Sequence, residues 1–180
     1  MFHPNTVEVV DWPHAPRGGR RVLTAIRQLD RVAVIDLDER RLVWEWGAGR
    51  IVGPHDPRLL PNGNVLLFDN GARPTSSHGT PTRLFPRVVE LDPRDGGIAW
   101  EYRGSPPESF FSPSRGGAQP LANGNVLITE TTKGRVFEVT RAGRVVWGFW
   151  NPDFDQLGRR AIYRMHRIGL DEYRALRGWR

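Results

Sequence analysis

The stretch Leu59-Leu60-Pro61-Asn62-Gly63-Asn64-Val65-Leu66 returns downstream as Pro120-Leu121-Ala122-Asn123-Gly124-Asn125-Val126-Leu127, an offset of 61 residues from Asn62 to Asn123. An Asn-Gly step between apolar runs is hairpin chemistry, because tight turns favour residues that tolerate positive φ. Each copy is followed by an alternating run and then by a run carrying a Trp. These are Arg87–Asp92 with Ile98–Tyr102, and Arg135–Thr140 with Val145–Phe149. The same pair stands near the start of the chain as Val32–Asp36 and Leu42–Trp46. Three units therefore repeat, and Trp44, Trp100 and Trp147 hold one fixed place in them, as inter-blade packing residues would.

Within the middle unit the pattern predicts four strands, at about 56–60, 64–69, 87–92 and 97–103, joined by turn-forming segments. Helical spacing of apolar residues is confined to the short tail from Leu170 to Trp179. An all-β fold of four-stranded units, repeating near every 50 residues, is the pattern of a β-propeller; tandem hairpins in a sandwich are the alternative. The expected blades are about 1–47, 53–103 and 113–150, followed by a tail at 160–180 whose Arg160–Ile168 reads as a strand. Residues 1–180 then form a single partial propeller. Propellers close with roughly four to eight blades, so three leave two apolar faces to cover. The expectation is a missing N-terminal half or self-association with another copy.

Composition sets further bounds. The chain has 180 residues, among them 20 Gly, 15 Pro, seven Trp and no Cys. This is turn-rich and folded in character, and it excludes disulfides, thiolate metal sites and a thiol nucleophile. No run approaches the roughly 18 consecutive apolar residues of a membrane span, and no charged-then-apolar leader follows Met1. Compartment cannot be read from these features. The formal net charge is +6, yet Lys133 is the only Lys and the arginines are dispersed rather than clustered. That distribution argues against a nucleic-acid partner and leaves a small anionic substrate.

Loops at one end of a propeller converge on its channel, so polar residues at equivalent blade entrances face one another. The three entrances are His3-Pro4-Asn5-Thr6-Val7, His55-Asp56-Pro57-Arg58-Leu59 and Arg115-Gly116-Gly117-Ala118-Gln119. Two open with His and one with Arg. The segment Phe68-Asp69-Asn70-Gly71-Ala72-Arg73 and the loop bearing His78 follow in the middle unit. Guanidinium forks and imidazoles bind oxyanions, and a neutral imidazole can accept a transferable group. Against a site role, each of these residues could be a turn or loop residue. His14 reads as exposed in an inter-strand insertion, His166 as structural and Asp69 as a turn residue. No phosphate loop, zinc-protease motif or hydrolase elbow is present, and no metal site is expected.

The strings His55-Asp56-Pro57-Arg58-Leu59-Leu60-Pro61-Asn62-Gly63-Asn64, Leu67-Phe68-Asp69-Asn70-Gly71 and Arg87-Val88-Val89-Glu90-Leu91-Asp92-Pro93, with Phe111-Ser112-Pro113, resemble the bacterial PAPS-independent arylsulfotransferases. The likeness runs from His3 to about Ile168. It implies a six-bladed propeller that moves a sulfuryl group from an aryl sulfate to a phenol through a sulfohistidine, without a cofactor. It also implies catalytic roles for His3, His55 and Arg73, with Arg115, Arg135 and His78 contacting substrate. The family's sulfated histidine belongs to the following blade, yet Phe110–Trp150 contains no histidine. His55 is then the only histidine inside a family-like motif downstream of the first blade. A non-catalytic propeller that binds an anion or a protein partner is the alternative, as is a truncated fragment of the enzyme.

Overall fold

The computed structural model describes residues 4–16, 18–71 and 85–178. Three antiparallel sheets follow one another along the chain, each with its strands in sequence order. The first holds β1 (Pro4–Val10), β2 (Arg21–Ile26), β3 (Arg31–Asp36) and β4 (Arg41–Trp46); the second β5 (His55–Leu59), β6 (Val65–Asp69), β7 (Arg87–Leu91) and β8 (Ile98–Tyr102). The third holds β9 (Gly117–Pro120), β10 (Val126–Glu130), β11 (Arg135–Val139) and β12 (Val145–Trp150). β5 lies against β1 and β2, and β9 against β5 and β6. This is the stacking of propeller blades, with the first strand of each sheet innermost.

The middle strands are largely apolar because both faces of the sheet are covered, and β6 and β7 are buried at every residue, Asp69, Arg87 and Glu90 included. One interface joins Leu23, Ala25, Val32, Val34 and Trp46 to Val65, Leu67, Val89 and Leu91, with Trp12 and Ile51 closing it. The next joins Leu66, Phe68, Val88 and Tyr102 to Val126, Ile128, Phe137 and Val139. Phe110 fills its centre, with ring centroids 5.6 Å from Phe68, 5.7 Å from Tyr102 and 5.6 Å from Phe137.

Two polar devices repeat between blades. Trp44 Nε1 donates to the Pro93 carbonyl at 3.2 Å, and Trp100 Nε1 donates to the Arg141 carbonyl at 2.8 Å, each reaching the outer turn of the following blade. Glu90 Oε1 accepts from Asn62 and Asn64 at 3.1 and 2.7 Å, while its Oε2 takes Arg141 from the next blade at 2.5 Å. Glu138 does the same with Asn123 and Asn125, at 2.9 and 2.6 Å, and takes Arg167 on its second oxygen. The repeated Asn-Gly-Asn turn is therefore clamped from within its own blade, beyond what its backbone conformation alone requires.

The tail departs from the expectation of a strand. Residues 160–168 form no ladder, although β13 (Phe154–Asp155) and β14 (Gly158–Arg159) make a short hairpin just before them. The extended segment bonds largely through side chains instead. Met165 N donates to Thr129 Oγ1 at 3.2 Å, Thr131 Oγ1 donates to the Tyr163 carbonyl at 3.1 Å, and Gln119 exchanges two 2.8 Å bonds with the backbone of Arg167. Arg167 also lies over the Trp147 ring at 5.3 Å, as Arg141 lies over Trp100 at 4.9 Å. The tail thus gives the third blade the arginine that a following blade would supply. Helix α1 (Leu170–Arg177) follows, with no residue buried.

Candidate functional site

His55 opens β5 at the end of the blade opposite the Asn62-Gly63 turn, paired across the ladder with Phe68. Its position depends on the residues just beyond β6. His55 Nδ1 lies 2.9 Å from the Gly53 carbonyl and 2.6 Å from Asn70 Oδ1. The Asn70 amide nitrogen donates to the Ser112 and Arg115 carbonyls at 2.6 and 2.8 Å, which fixes the amide with its oxygen toward the imidazole. Both groups facing Nδ1 are acceptors. The neutral ring therefore carries its proton on Nδ1 and its lone pair on Nε2. His55 is 8% exposed, and burial pushes its pKa below the usual histidine value despite the opposing pull of the Asn70 and Gly53 hydrogen bonds. The nearby Arg27 charge acts in the same direction as burial.

The surrounding frame is buried and paired. Asp69 was expected to serve as a turn residue; it is fully buried, accepting from Val52 N at 2.9 Å and from Arg87 Nε at 2.9 Å. Arg87 also binds Glu101 at 2.6 Å and the Arg50 carbonyl at 2.8 Å. Asp30 accepts from Gly53 N at 2.8 Å and so holds the loop that leads into His55.

Of the other expected site residues, Arg115 joins the same network through its carbonyl. Its backbone is left-handed (φ +60°), and its guanidinium lies 5.7 Å from the Tyr163 ring centroid. Arg135 stacks over Phe137 at 4.3 Å and Trp150 at 5.4 Å and contacts Glu130 Oε2 at 3.5 Å, partners that account for it by packing. His3, Arg73 and His78 lie outside the described residues. His14 is exposed, as expected, but bonds the Gly63 carbonyl at 2.9 Å.

The two glycines that follow Arg115 at the third entrance have no room for a side chain. A Cβ on Gly116, at φ +92°, would come within 2.7 Å of the Phe68 ring, and one on Gly117 would come within 2.7 Å of Asp56 Oδ2. Sequence reasoning missed Asn70 as the residue that sets the His55 tautomer, although it stands in the quoted Phe68–Gly71 string. Asp56, Arg58, Arg164 and His166 come together beside it, and no motif joins residues so far apart in the chain.

The sequence profile described as arylsulfotransferase (ASST) matches residues 1–152. The chain belongs to the arylsulfotransferase family. A search of curated proteins finds no match. Among solved structures, this family member is similar to a protein of unknown function from Bacteroides caccae, at 16% identity and TM-score 0.57, with 87% of this chain and 51% of that one covered. It is also similar to virginiamycin B lyase from Staphylococcus aureus, at 17% identity and TM-score 0.52, covering 83% and 42%. The Dos1 propeller matches at 12% identity and TM-score 0.56, covering 88% and 38%. At these identities the likeness is one of fold, and the chain spans about half the length of these structures or less. Among the described residues no helix is long and apolar enough to cross a membrane, and no group of three or more His, Asp or Glu side chains could hold a metal ion.

Proposed function

We propose that this arylsulfotransferase-family chain carries the sulfuryl-acceptor part of an aryl-sulfate sulfotransferase, with His55 Nε2 as the accepting atom. The observation that carries the reading is the pinned tautomer: two acceptors hold the proton on Nδ1 and leave the lone pair on Nε2. Burial supports it by keeping the ring neutral. In the first step the Nε2 lone pair attacks sulfur as the bond to the aryl oxygen breaks, and the phenolate leaves with that electron pair. In the second step a phenol oxygen attacks the same sulfur, the N–S bond breaks, and the pair returns to Nε2. The phenol proton passes to water or to the phenolate released in the first step. His3 and Arg73 are the proposed contacts for the sulfuryl oxygens, where fixed cations stabilise charge in an in-line transfer.

The test follows p-nitrophenolate release from p-nitrophenyl sulfate in the presence of phenol. His55→Ala abolishes transfer on this reading, and rapid acid-free quenching of the wild type with donor alone traps one sulfuryl group on the peptide containing His55. Wild-type turnover that persists in His55→Ala would move the acceptor role to another histidine.

A binding role without catalysis is the second reading. It is favoured by the lack of any histidine in Phe110–Trp150, the blade in which the family resemblance places the sulfated residue.

A further inference from the structure

β5 carries a second polar centre beside His55. Asp56, only 2% exposed, sits in the left-handed region (φ +49°) at the bulge between His55 and Arg58. Its Oδ1 contacts Arg58 Nη2 at 3.3 Å and Arg164 Nη2 at 3.1 Å, and its Oδ2 accepts from Ala118 N at 3.2 Å. Arg58 Nη2 also lies 3.3 Å from His166 Nε2. Glu8 is also near enough to Arg58 to feel its charge, with its Oε2 accepting from Leu59 N at 3.4 Å. The tail thus brings one guanidinium and one imidazole to the inner strand of a blade more than a hundred residues earlier in sequence.

The arrangement is incomplete. The Nε atoms of Arg58 and Arg164 are both buried and have no hydrogen-bond partner among the described residues. A buried N–H without an acceptor is unfavourable, and each arginine uses only a single nitrogen on Asp56 where a guanidinium edge can present two parallel donors. Both side chains keep an exposed portion, 23% for Arg58 and 30% for Arg164. Gly117 leaves the room they need, since a Cβ there would strike Asp56 Oδ2 and approach Arg164 Nε at 3.8 Å.

We propose that Arg58, Arg164 and His166 form an oxyanion subsite for the carboxylate of an aryl acid. On binding, Arg164 exchanges its single contact with Asp56 for a two-donor contact with the ligand, and this ties residues 160–168 to β5. The aryl part of the proposal rests on the sulfotransferase reading of the neighbouring His55. The oxyanion part does not. A subsite of this kind would select phenols or aryl sulfates that carry a second anionic group.

Calorimetric titration of the intact chain with benzoate, which has no sulfuryl group to transfer, tests the subsite independently of turnover. The expected result is saturable binding that weakens by about tenfold to a hundredfold in Arg164→Ala, the loss of a charge-assisted contact. Arg164→Lys weakens it too, because an ammonium keeps the charge but not the fork. Hydrogen exchange of the Ile162, Met165 and Arg167 amides should slow when benzoate binds to the wild type. His55→Ala should bind benzoate as the wild type does, which separates failure of this subsite from failure of sulfuryl transfer. No saturable heat with benzoate, equal affinity in Arg164→Ala, or binding of sulfate with refusal of benzoate would each overturn the proposal.

Discussion

Asn70 places its carboxamide oxygen 2.6 Å from His55 Nδ1 while its nitrogen is tied to the carbonyls of Ser112 and Arg115. One side chain thereby links the loop entering the third blade to the tautomer of a histidine on the second. A backbone carbonyl alone could hold the ring, but the amide adds an orientation fixed from two sides. Asn70→Ala removes one acceptor from Nδ1 and leaves the buried Ser112 carbonyl and the Arg115 carbonyl without this donor. The expected outcome is a roughly tenfold fall in kcat, corresponding to about 1.4 kcal/mol, with KM nearly steady and with unfolding at lower denaturant. Unchanged kcat in a folded variant would show that Gly53 suffices to set the ring.

The depressed pKa of His55 sets the sign of the pH response. In the proposed mechanism transfer needs neutral Nε2, and burial lowers the pH at which the ring takes up a proton below its ordinary 6.5. The profile of kcat/KM should therefore stay level through pH 7 and fall only on an acid limb whose midpoint lies below 6.5. The same shift makes the neutral ring a source of stability above pH 6.5 that is lost as the pH drops through the lowered value. An acid limb centred at or above 6.5 would contradict a buried neutral acceptor.

The tryptophans separate two kinds of contact at one sequence position. Trp100 Nε1 has the Arg141 carbonyl at 2.8 Å. Trp147 Nε1 has no acceptor among the described residues, and the residue is 41% exposed. Trp100→Phe should cost about 1 kcal/mol more than Trp147→Phe in urea unfolding, the worth of one net hydrogen bond. Equal losses at the two positions would mean that ring packing, and not the indole N–H, joins the blades.

Blade count and strand placement were legible because a repeat averages away local ambiguity. The four strands read in the middle unit begin and end within about a residue of β5 to β8, since both the Asn-Gly turns and the two-residue alternation mark them. The tail misled for a physical reason: Arg160–Ile168 has the composition of a strand, but its bonds run to Thr129, Thr131 and Gln119 rather than to a neighbouring ladder. The prominence of His55 was readable from its motif. The roles of Asn70 and Asp69 were not, because both residues look like ordinary strand-end polar groups until the fold buries them. Arg164 and His166 could not have been joined to Asp56 from sequence, since only the return of the tail across the third blade brings them there.

The clamp on the third blade also predicts how stability responds to acid. Glu138 accepts from Asn125, Asn123 and Arg167, and these hydrogen bonds hold its pKa down from 4.5 to about 2. A carboxylate whose folded pKa is depressed adds stability above its unfolded value, and that contribution disappears as the pH falls through the folded value. Unfolding midpoints of the wild type should therefore rise between pH 2 and pH 4.5. Glu138→Gln removes the charge that Arg167 pairs with, so its curve should be flatter over the same interval and should meet the wild-type curve near pH 2. Some slope must remain in the variant, because Glu90 is also depressed: burial raises it, but Asn64, Asn62 and Arg141 prevail. Arg167→Ala provides the cross-check, as it should flatten the curve while also loosening residues 160–168 toward hydrogen exchange. Parallel wild-type and Glu138→Gln curves from pH 2 to 4.5 would mean that the Glu138–Arg167 pair contributes nothing to stability and that the tail is held by its other contacts.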